Sequence, residues 1–357
     1  MAASPLRIQN GLARGFDPRV VRREFPIFTT HPELVFLDSG ASAQKPRAVI
    51  DGIAEFYRTD YANVHRGVYS LSARSTDRFE EAREKARAFL NAADEREIVF
   101  LRGATEAINL VTQSWGPACL KPGDEIIISD VEHHSNIVPW QMLCERLGAR
   151  LVVAPTDPTG QFDLAAFEAL LSPRTRLVAV THISNVTGTL LPIARIVELA
   201  HATGAKVLVD GCQALPRMSV DVQALGCDFY ALTGHKVYGP TGIGALYGRY
   251  ELLSAMPPWQ GGGGRDRATA ALECDVVDAI AIEAHIDGDP VAAQRVVAMG
   301  KMGRMLDPAE IARVAAVIEN DVLIEFAEVH SGVAHRTNIS RQASTAFASR
   351  SISSASL

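Results

Sequence analysis

A chain of 357 residues holds enough material for one large domain and a smaller one. Hydrophobic residues make up 47% of it, ample for a core, and the formal charge of −6 argues against a nucleic-acid binder, which carries a basic excess. The five cysteines form no C-x-x-C pair, no apolar run approaches the roughly 20 residues of a bilayer span, and the first seven residues lack an apolar signal core. The expectation is a cytoplasmic protein with reduced thiols and no membrane segment.

Residues 1–14 read as a loose leader. Asp17 followed by Pro18 predicts a short helix to about residue 25, with the acid as cap and Pro at the first helical position. Leu34-Val-Phe-Leu-Asp38 predicts a short strand. Apolar residues at helical spacing predict helices over 46–57 and 75–90, the second capped by Ser75 or Thr76, with a polar loop over 63–72 between them. From there strands and helices alternate. Strands are predicted at 97–101, 125–129, 150–154, 176–181, 206–210, 228–233 and 244–247. Helices are predicted at 105–112, 136–147, 163–171 and 193–203. Short apolar strands interleaved with helices mean an α/β fold, a mostly parallel central sheet with helices on both faces. Ligands of such sheets bind at the carboxyl ends of the strands, and no G-x-G-x-x-G follows the first strand, which disfavours a dinucleotide.

The character changes after Gly261-Gly-Gly-Gly264. The chain divides into an N-terminal arm and helix (1–30), a large domain (31–264), an atypical helical segment (265–330) and a Ser-, Ala- and Arg-rich tail without apolar periodicity (331–357), expected to be disordered.

Polar residues gather at the ends of five predicted strands. Lys236 follows a buried-looking strand and sits among Gly234, Gly239, Gly242 and Gly244, which let backbone approach a ligand closely. Asp210 ends a strand of almost wholly apolar character, where an acid needs a partner. A lysine that forms an imine with pyridoxal phosphate and an acid that holds the protonated ring nitrogen make such a pair. Gln213, three residues on, is placed to reach the ring's phenolate oxygen. Gly103, Ala104 and Thr105 put free N–H groups and a hydroxyl at a helix start, a phosphate cup to which Thr233 and His235 can add donors. Adjacent His133 and His134 raise a metal reading, but neighbouring side chains diverge and no third ligand has suitable spacing, so one imidazole lying on an aromatic cofactor fits better. Asn185 ends another strand, within reach of cofactor or substrate. For Asp210, Thr105, His133 and Asn185 taken singly, a helix cap or polar loop residue is the plain structural alternative.

Several stretches together resemble the fold-type I pyridoxal-phosphate enzymes of the class-V aminotransferase group. More narrowly, they resemble the SUF-type (group II) cysteine desulfurases and selenocysteine lyases. They are Leu37-Asp-Ser-Gly-Ala-Ser-Ala-Gln-Lys-Pro46, Asn63-Val-His-Arg-Gly67, Arg102-Gly-Ala-Thr-Glu-Ala-Ile-Asn109 and Glu132-His-His-Ser-Asn-Ile-Val-Pro-Trp-Gln141. Further along come Ile183-Ser-Asn-Val186, Val209-Asp-Gly-Cys-Gln-Ala214, Gly234-His-Lys-Val-Tyr-Gly-Pro-Thr-Gly242 and Met256-Pro-Pro-Trp-Gln-Gly-Gly-Gly263.

The resemblance implies pyridoxal 5'-phosphate as cofactor, Lys236 as the imine lysine, Asp210 at the pyridine nitrogen and Gln213 near the phenolate oxygen. It makes His133 the residue stacked on the ring, Thr105, Thr233 and His235 phosphate contacts, and Asn185 a neighbour of the substrate carboxylate. It implies a homodimer whose 261–263 loop reaches the partner's phosphate, and a reaction that converts L-cysteine to L-alanine and passes sulfur to an acceptor protein, for iron-sulfur cluster assembly among other uses. L-selenocysteine, with selenocysteine lyase activity, is the near alternative.

This chain departs from the pattern in two places. Ala104 replaces the first Thr of the family's Thr-Thr-Glu and removes a hydroxyl. After about Gly264 the resemblance stops, and no Arg-x-Gly-x-His-Cys-like stretch supplies the sulfur-accepting cysteine or the carboxylate-gripping arginine. Cys274 lies in a helix-like segment unlike that loop. The small C-terminal domain is therefore expected to be atypical or incomplete, and the desulfurase impaired. A catalytically inactive cofactor-binding or interaction protein is the reading from another class.

Overall fold

The structure, a computed structural model, describes residues 17–260 apart from Arg66. The predicted segments at 265–330 and 331–357, the glycine run that begins at Gly261 and the first sixteen residues lie outside the described residues.

At its centre is a seven-stranded sheet of order β1-β7-β6-β5-β4-β2-β3. The strands are β1 (Ile98–Leu101), β2 (Glu125–Ser129), β3 (Arg150–Ala154), β4 (Thr175–Thr181), β5 (Lys206–Asp210), β6 (Phe229–Thr233) and β7 (Gly244–Gly248). Strands β6, β5, β4, β2 and β3 run parallel, and β7 is antiparallel to both β6 and β1. Crossover helices cover the sheet: α4 (Ser70–Leu90), α5 (Ala104–Leu110), α7 (Val138–Leu147), α8 (Leu164–Leu170) and α9 (Ile193–Ala202).

Alternation along the strands divides the core in two. On one face Phe100, Ile127, Val178, Val207 and Tyr230 pack with Phe79 of α4 and Ile196 of α9. On the other, Val99, Ile128, Ala179 and Leu208 pack with Ile108 of α5 and Trp140 of α7. Each such side chain taken from water contributes about 1.5–3 kcal/mol. A strand with two buried faces reads as a continuous apolar run, so the bounds of β2 and β5 match the sequence expectation; those of β3, an outer strand, match as well.

The caps agree at the start of the chain, where Asp17 accepts from Arg19 N–H ahead of α1 (Pro18–Arg23). After the one-turn α2 (Ile27–Thr30), α3 (Arg47–Thr59) follows Pro46. Four expectations are corrected. Residues 34–38 form no strand among the described residues, and Val35 and Leu37 are exposed. Helix α4 begins at Ser70, five residues before the predicted cap, because Ser75 Oγ is spent inside the fold, bonding Asp60 C=O and accepting from Ala62 N–H at 2.9 Å. Helix α5 runs on through a π turn (Val111–Trp115) into α6 (Gly116–Cys119), beyond the predicted end at residue 112. The short helices α10 (Val222–Leu225) and α11 (Tyr250–Ala255) carry too few periodic residues to announce themselves. No helix among the described residues is long and apolar enough to cross a membrane.

Candidate functional site

The carboxyl ends of β4 and β5 lie level, since Thr181 pairs with Asp210, and β6 runs two residues further, since Asp210 pairs with Ala231 and β6 ends at Thr233. Asp210 is buried there. Its Oδ1 accepts from Cys212 N–H at 3.0 Å, which holds the carboxylate at the strand end. Behind it, Gly211 lies flat on Tyr230, where a Cβ would fall 1.9 Å from the phenol ring, so only glycine fits. Tyr230 OH bonds His182 Nδ1 at 3.0 Å, and burial pushes the imidazole of His182 down to about 4. A neutral, closed layer thus supports the acid.

Lys236 closes a short 3-10 turn directly after β6 and is half-buried. Among the described residues its Nζ has no hydrogen-bond or ion-pair partner. It is close enough to the other predicted groups for its charge to act on them. His133 is held below the usual histidine range by burial first and by the Lys236 charge second, with Asp210 opposing. His133 Nδ1 accepts from Ser135 N–H at 3.2 Å, so the neutral ring carries its proton on Nε2. His235 is likewise lowered by burial, then by Lys236 and Lys45.

The phosphate-cup residues come together as well. Gly103 precedes the first turn of α5, and Thr233 Oγ1 lies 3.4 Å from where a Gly103 Cβ would stand. Gly244 of β7 crosses so close that its own Cβ would sit 2.6 Å from Gly103 Cα. Two glycines pressed together therefore bring the α5 N-terminus beside Thr233. Thr105 is the second residue of α5, not its cap, and its side chain is exposed. Glu106 turns back to Arg102, accepting from its N–H at 2.7 Å and from its guanidinium; burial pushes this carboxyl up, and Arg102 brings it below the usual range. Asn185 is exposed beyond β4, without a side-chain partner among the described residues.

Gln213 is less free than the sequence suggests. Its Nε2 donates to Gly40 C=O at 2.8 Å and its Oε1 accepts from Arg217 at 2.6 Å. Arginine only donates and a carbonyl only accepts, so the amide has one orientation, with a single N–H left to offer.

Two groups stand in the stretches that carry the resemblance, with no role read from them there. Glu132 is buried beneath His133 and receives three donors. Lys45 reaches from the segment ahead of α3 to His235 C=O at 3.2 Å, while Ala43 N–H donates to the same carbonyl at 2.9 Å. The run of Ala43 to Lys45 thereby braces the lysine turn from 190 positions away. Buried acids next to a predicted site residue were the available signal for Glu132. For Lys45 the Leu37–Pro46 stretch marks the place, but nothing local names His235 as its partner.

These groups suit pyridoxal phosphate: an anion cup of N–H groups and a hydroxyl, an anchored acid, an imidazole without charge and an unpartnered amine lie along one sheet edge.

A fold-type I sheet with such an edge defines a class of pyridoxal-phosphate enzyme, and the comparisons agree. Residues 35–300 match the family Aminotransferase class-V, and the chain belongs to that family; the matched span runs on past Gly264. Its cofactor is pyridoxal 5'-phosphate. Among its relatives, the cysteine desulfurase of Klebsiella pneumoniae (strain 342) is 58% identical over 251 residues, 70% of this chain and 62% of the relative. The cysteine desulfurase of Dickeya dadantii (strain 3937) is 57% identical over 256 residues, 71% and 62% respectively. This chain thus spans 62% of the length of the curated relatives it matches. The crystal structure of the cysteine desulfurase CsdA (S-sulfonic acid) from Escherichia coli superposes with a TM-score of 0.68 at 41% identity, over 79% of this chain and 72% of the other. The apo cysteine desulfurase of Thermococcus onnurineus NA1 gives 0.70 at 32% identity, over 79% and 71%.

Proposed function

We propose that this chain is a pyridoxal-phosphate-dependent cysteine desulfurase of the SUF type, acting on L-cysteine and located in the cytoplasm. The observation that carries the reading is the gathering of Lys236, Asp210 and His133 at one sheet edge beside the Gly103–Thr233 cup, in a chain whose relatives are named cysteine desulfurases. Those names favour cysteine over selenocysteine as substrate.

Bound there, the cofactor supplies an electron-accepting ring that stabilises negative charge at an amino acid's α-carbon. Asp210 holds the ring nitrogen protonated. The N–H groups at the start of α5 (Ala104 and Thr105), with the Thr105 and Thr233 hydroxyls and His235, bind the phosphate, and Gln213 donates its remaining N–H to the phenolate oxygen. Lys236 is the amine that would hold the cofactor through its carbonyl carbon and would serve as base for the substrate α-proton. His133 covers the ring as a neutral imidazole, adding no charge that would compete with Asp210. Asn185 meets the substrate carboxylate.

The sulfur still needs a thiolate to receive it, and the described cysteines are poorly suited. Cys144, pushed up to about 11, Cys227, pushed up to about 12, and Cys212, raised well above the ordinary thiol by burial and by Asp210, are buried; Cys119 is exposed and raised by partial desolvation. This favours a second reading, a chain that binds cofactor but transfers no sulfur. The first reading adds a sulfur-acceptor protein and iron-sulfur assembly. It also adds a homodimer; the exposed Tyr57 and Tyr61, their ring centroids 5.4 Å apart, offer it an apolar contact. Sulfide and persulfide release from L-cysteine, measured beside the absorbance of the purified protein, tests both. Yellow protein that releases sulfur supports the desulfurase. Yellow protein without release supports the second reading, and protein that stays colourless with added cofactor contradicts both.

A further inference from the structure

Strand β4 runs one residue further than its neighbour β2: Ile128 is level with Ala179, β2 stops at Ser129, and Thr181 continues without a β2 partner. The Thr181 N–H at that gap donates at 2.8 Å to Oε1 of Glu132. The same oxygen accepts from Ser129 Oγ, and Oε2 accepts from Asn136 Nδ2 at 2.7 Å. Asn136 in turn accepts at Oδ1 from Trp140 Nε1 at 2.9 Å. All five residues are buried. One carboxyl group therefore joins the end of β2, the end of β4 and the start of α7. The segment it pins includes His133, whose own side chain bonds only Ser135 among the described residues.

The direction of these bonds is set at both ends. A backbone N–H and an indole N–H can only donate. Thr181 therefore requires an acceptor at Oε1. Trp140 holds the Asn136 oxygen, turns the Asn136 NH₂ toward Glu132 and requires an acceptor at Oε2. Only Ser129 can reverse its bond. Burial pushes Glu132 up to about 8, with the Asp210 charge adding, while Ser129, Asn136 and Thr181 pull it down. Whichever form is present, the bonds from Thr181 and Asn136 persist. An amide at this position has the same shape and the wrong polarity, because its NH₂ must face one of two donors.

We propose that Glu132 is a positioning residue for His133: its carboxyl group splices β2 to β4 and thereby fixes the seat of the imidazole over the cofactor ring. This rests on the reading of His133 as the residue that covers the ring.

The test is a double-mutant cycle on cofactor dissociation, read by fluorescence titration of apoprotein with pyridoxal phosphate and by visible circular dichroism of the complex. Glu132→Gln is expected to weaken binding about tenfold, the scale of one unsatisfied buried donor, and to reduce the dichroic band. In a His133→Ala background the same change is expected to cost less than about twofold, since the residue it acts through is gone. Glu132→Gln combined with Asn136→Asp reverses the pair's polarity while keeping Thr181 and Trp140 satisfied, and is expected to restore the band. If Glu132→Gln does not fold, Ser129→Ala, which removes one of the three donors, takes its place with about a threefold effect that also vanishes in the His133→Ala background. Equal losses with and without His133, or no loss in either, overturn the proposal. Wild-type binding that His133→Ala leaves unchanged overturns instead the reading of His133 on which it rests, and the proposal with it.

Discussion

The edge of the sheet holds two kinds of polar residue. Beneath it, Asp210, Glu132, His182 and Tyr230 are buried and bonded to one another's neighbours by fixed donors. Along its rim, Lys236, Thr105 and Asn185 are half-buried or exposed and have no side-chain partner among the described residues. The difference assigns the work. The lower layer holds geometry and charge before any ligand arrives, and the rim keeps its hydrogen-bonding capacity for the ligand.

The largest effect that would break this division is expected below neutral pH. His182 is held neutral, its folded value about 4 against an ordinary 6.5. A depressed value means that the unfolded chain binds the proton first, so the stability this group gives is complete above about pH 6.5 and is lost as pH falls towards 4. The loss is about 3 kcal/mol. In urea titrations, the stability gap between wild type and His182→Gln is expected to narrow by that amount from pH 7 to pH 4. A constant gap would remove His182 from the lower layer.

Next comes the charge that this layer presents to the ligand. Asp210→Asn keeps the shape and loses the anion, and is expected to slow solvent deuterium exchange at the α-carbon of bound amino acid on the order of a hundredfold. That readout needs no sulfur acceptor, so it measures the acid alone.

The smallest effect tests the brace from Lys45. Lys45 is half-buried and lowered by burial, and among the described residues its hydrogen bond into the site is to the His235 carbonyl. Lys45→Met is expected to loosen the cofactor about threefold in equilibrium titration, under about 1 kcal/mol. A loss as large as that for Asp210 would mean that Lys45 meets the ligand itself.

What the sequence disclosed follows much of the same division. Rim residues stand in short motifs after apolar runs, so Lys236, His133 and the Gly103–Thr105 turn are visible along the chain; Asp210, though buried, is visible too because it ends an apolar strand. The parallel sheet was legible for the same reason. Supports were not, because their partners are remote. Lys45 meets His235 across 190 positions, Glu132 meets Thr181 across 49, and Gln213 is claimed by Gly40 from 173 away. Ser75 looked like a cap because a hydroxyl before a helical pattern usually is one; Asp60 and Ala62 take it instead. The 34–38 run has strand composition and lacks a sheet neighbour among the described residues, a fact that only tertiary structure reveals.

The central claim is that Lys236 is the amine this edge keeps free for the cofactor. Reducing the purified protein with borohydride in the presence of pyridoxal phosphate, then digesting it and weighing the peptides, tests that claim directly. We predict a single pyridoxyl adduct on the peptide that carries Lys236, absent in Lys236→Ala. An adduct placed mainly on another lysine, or none on a folded protein, would contradict the account.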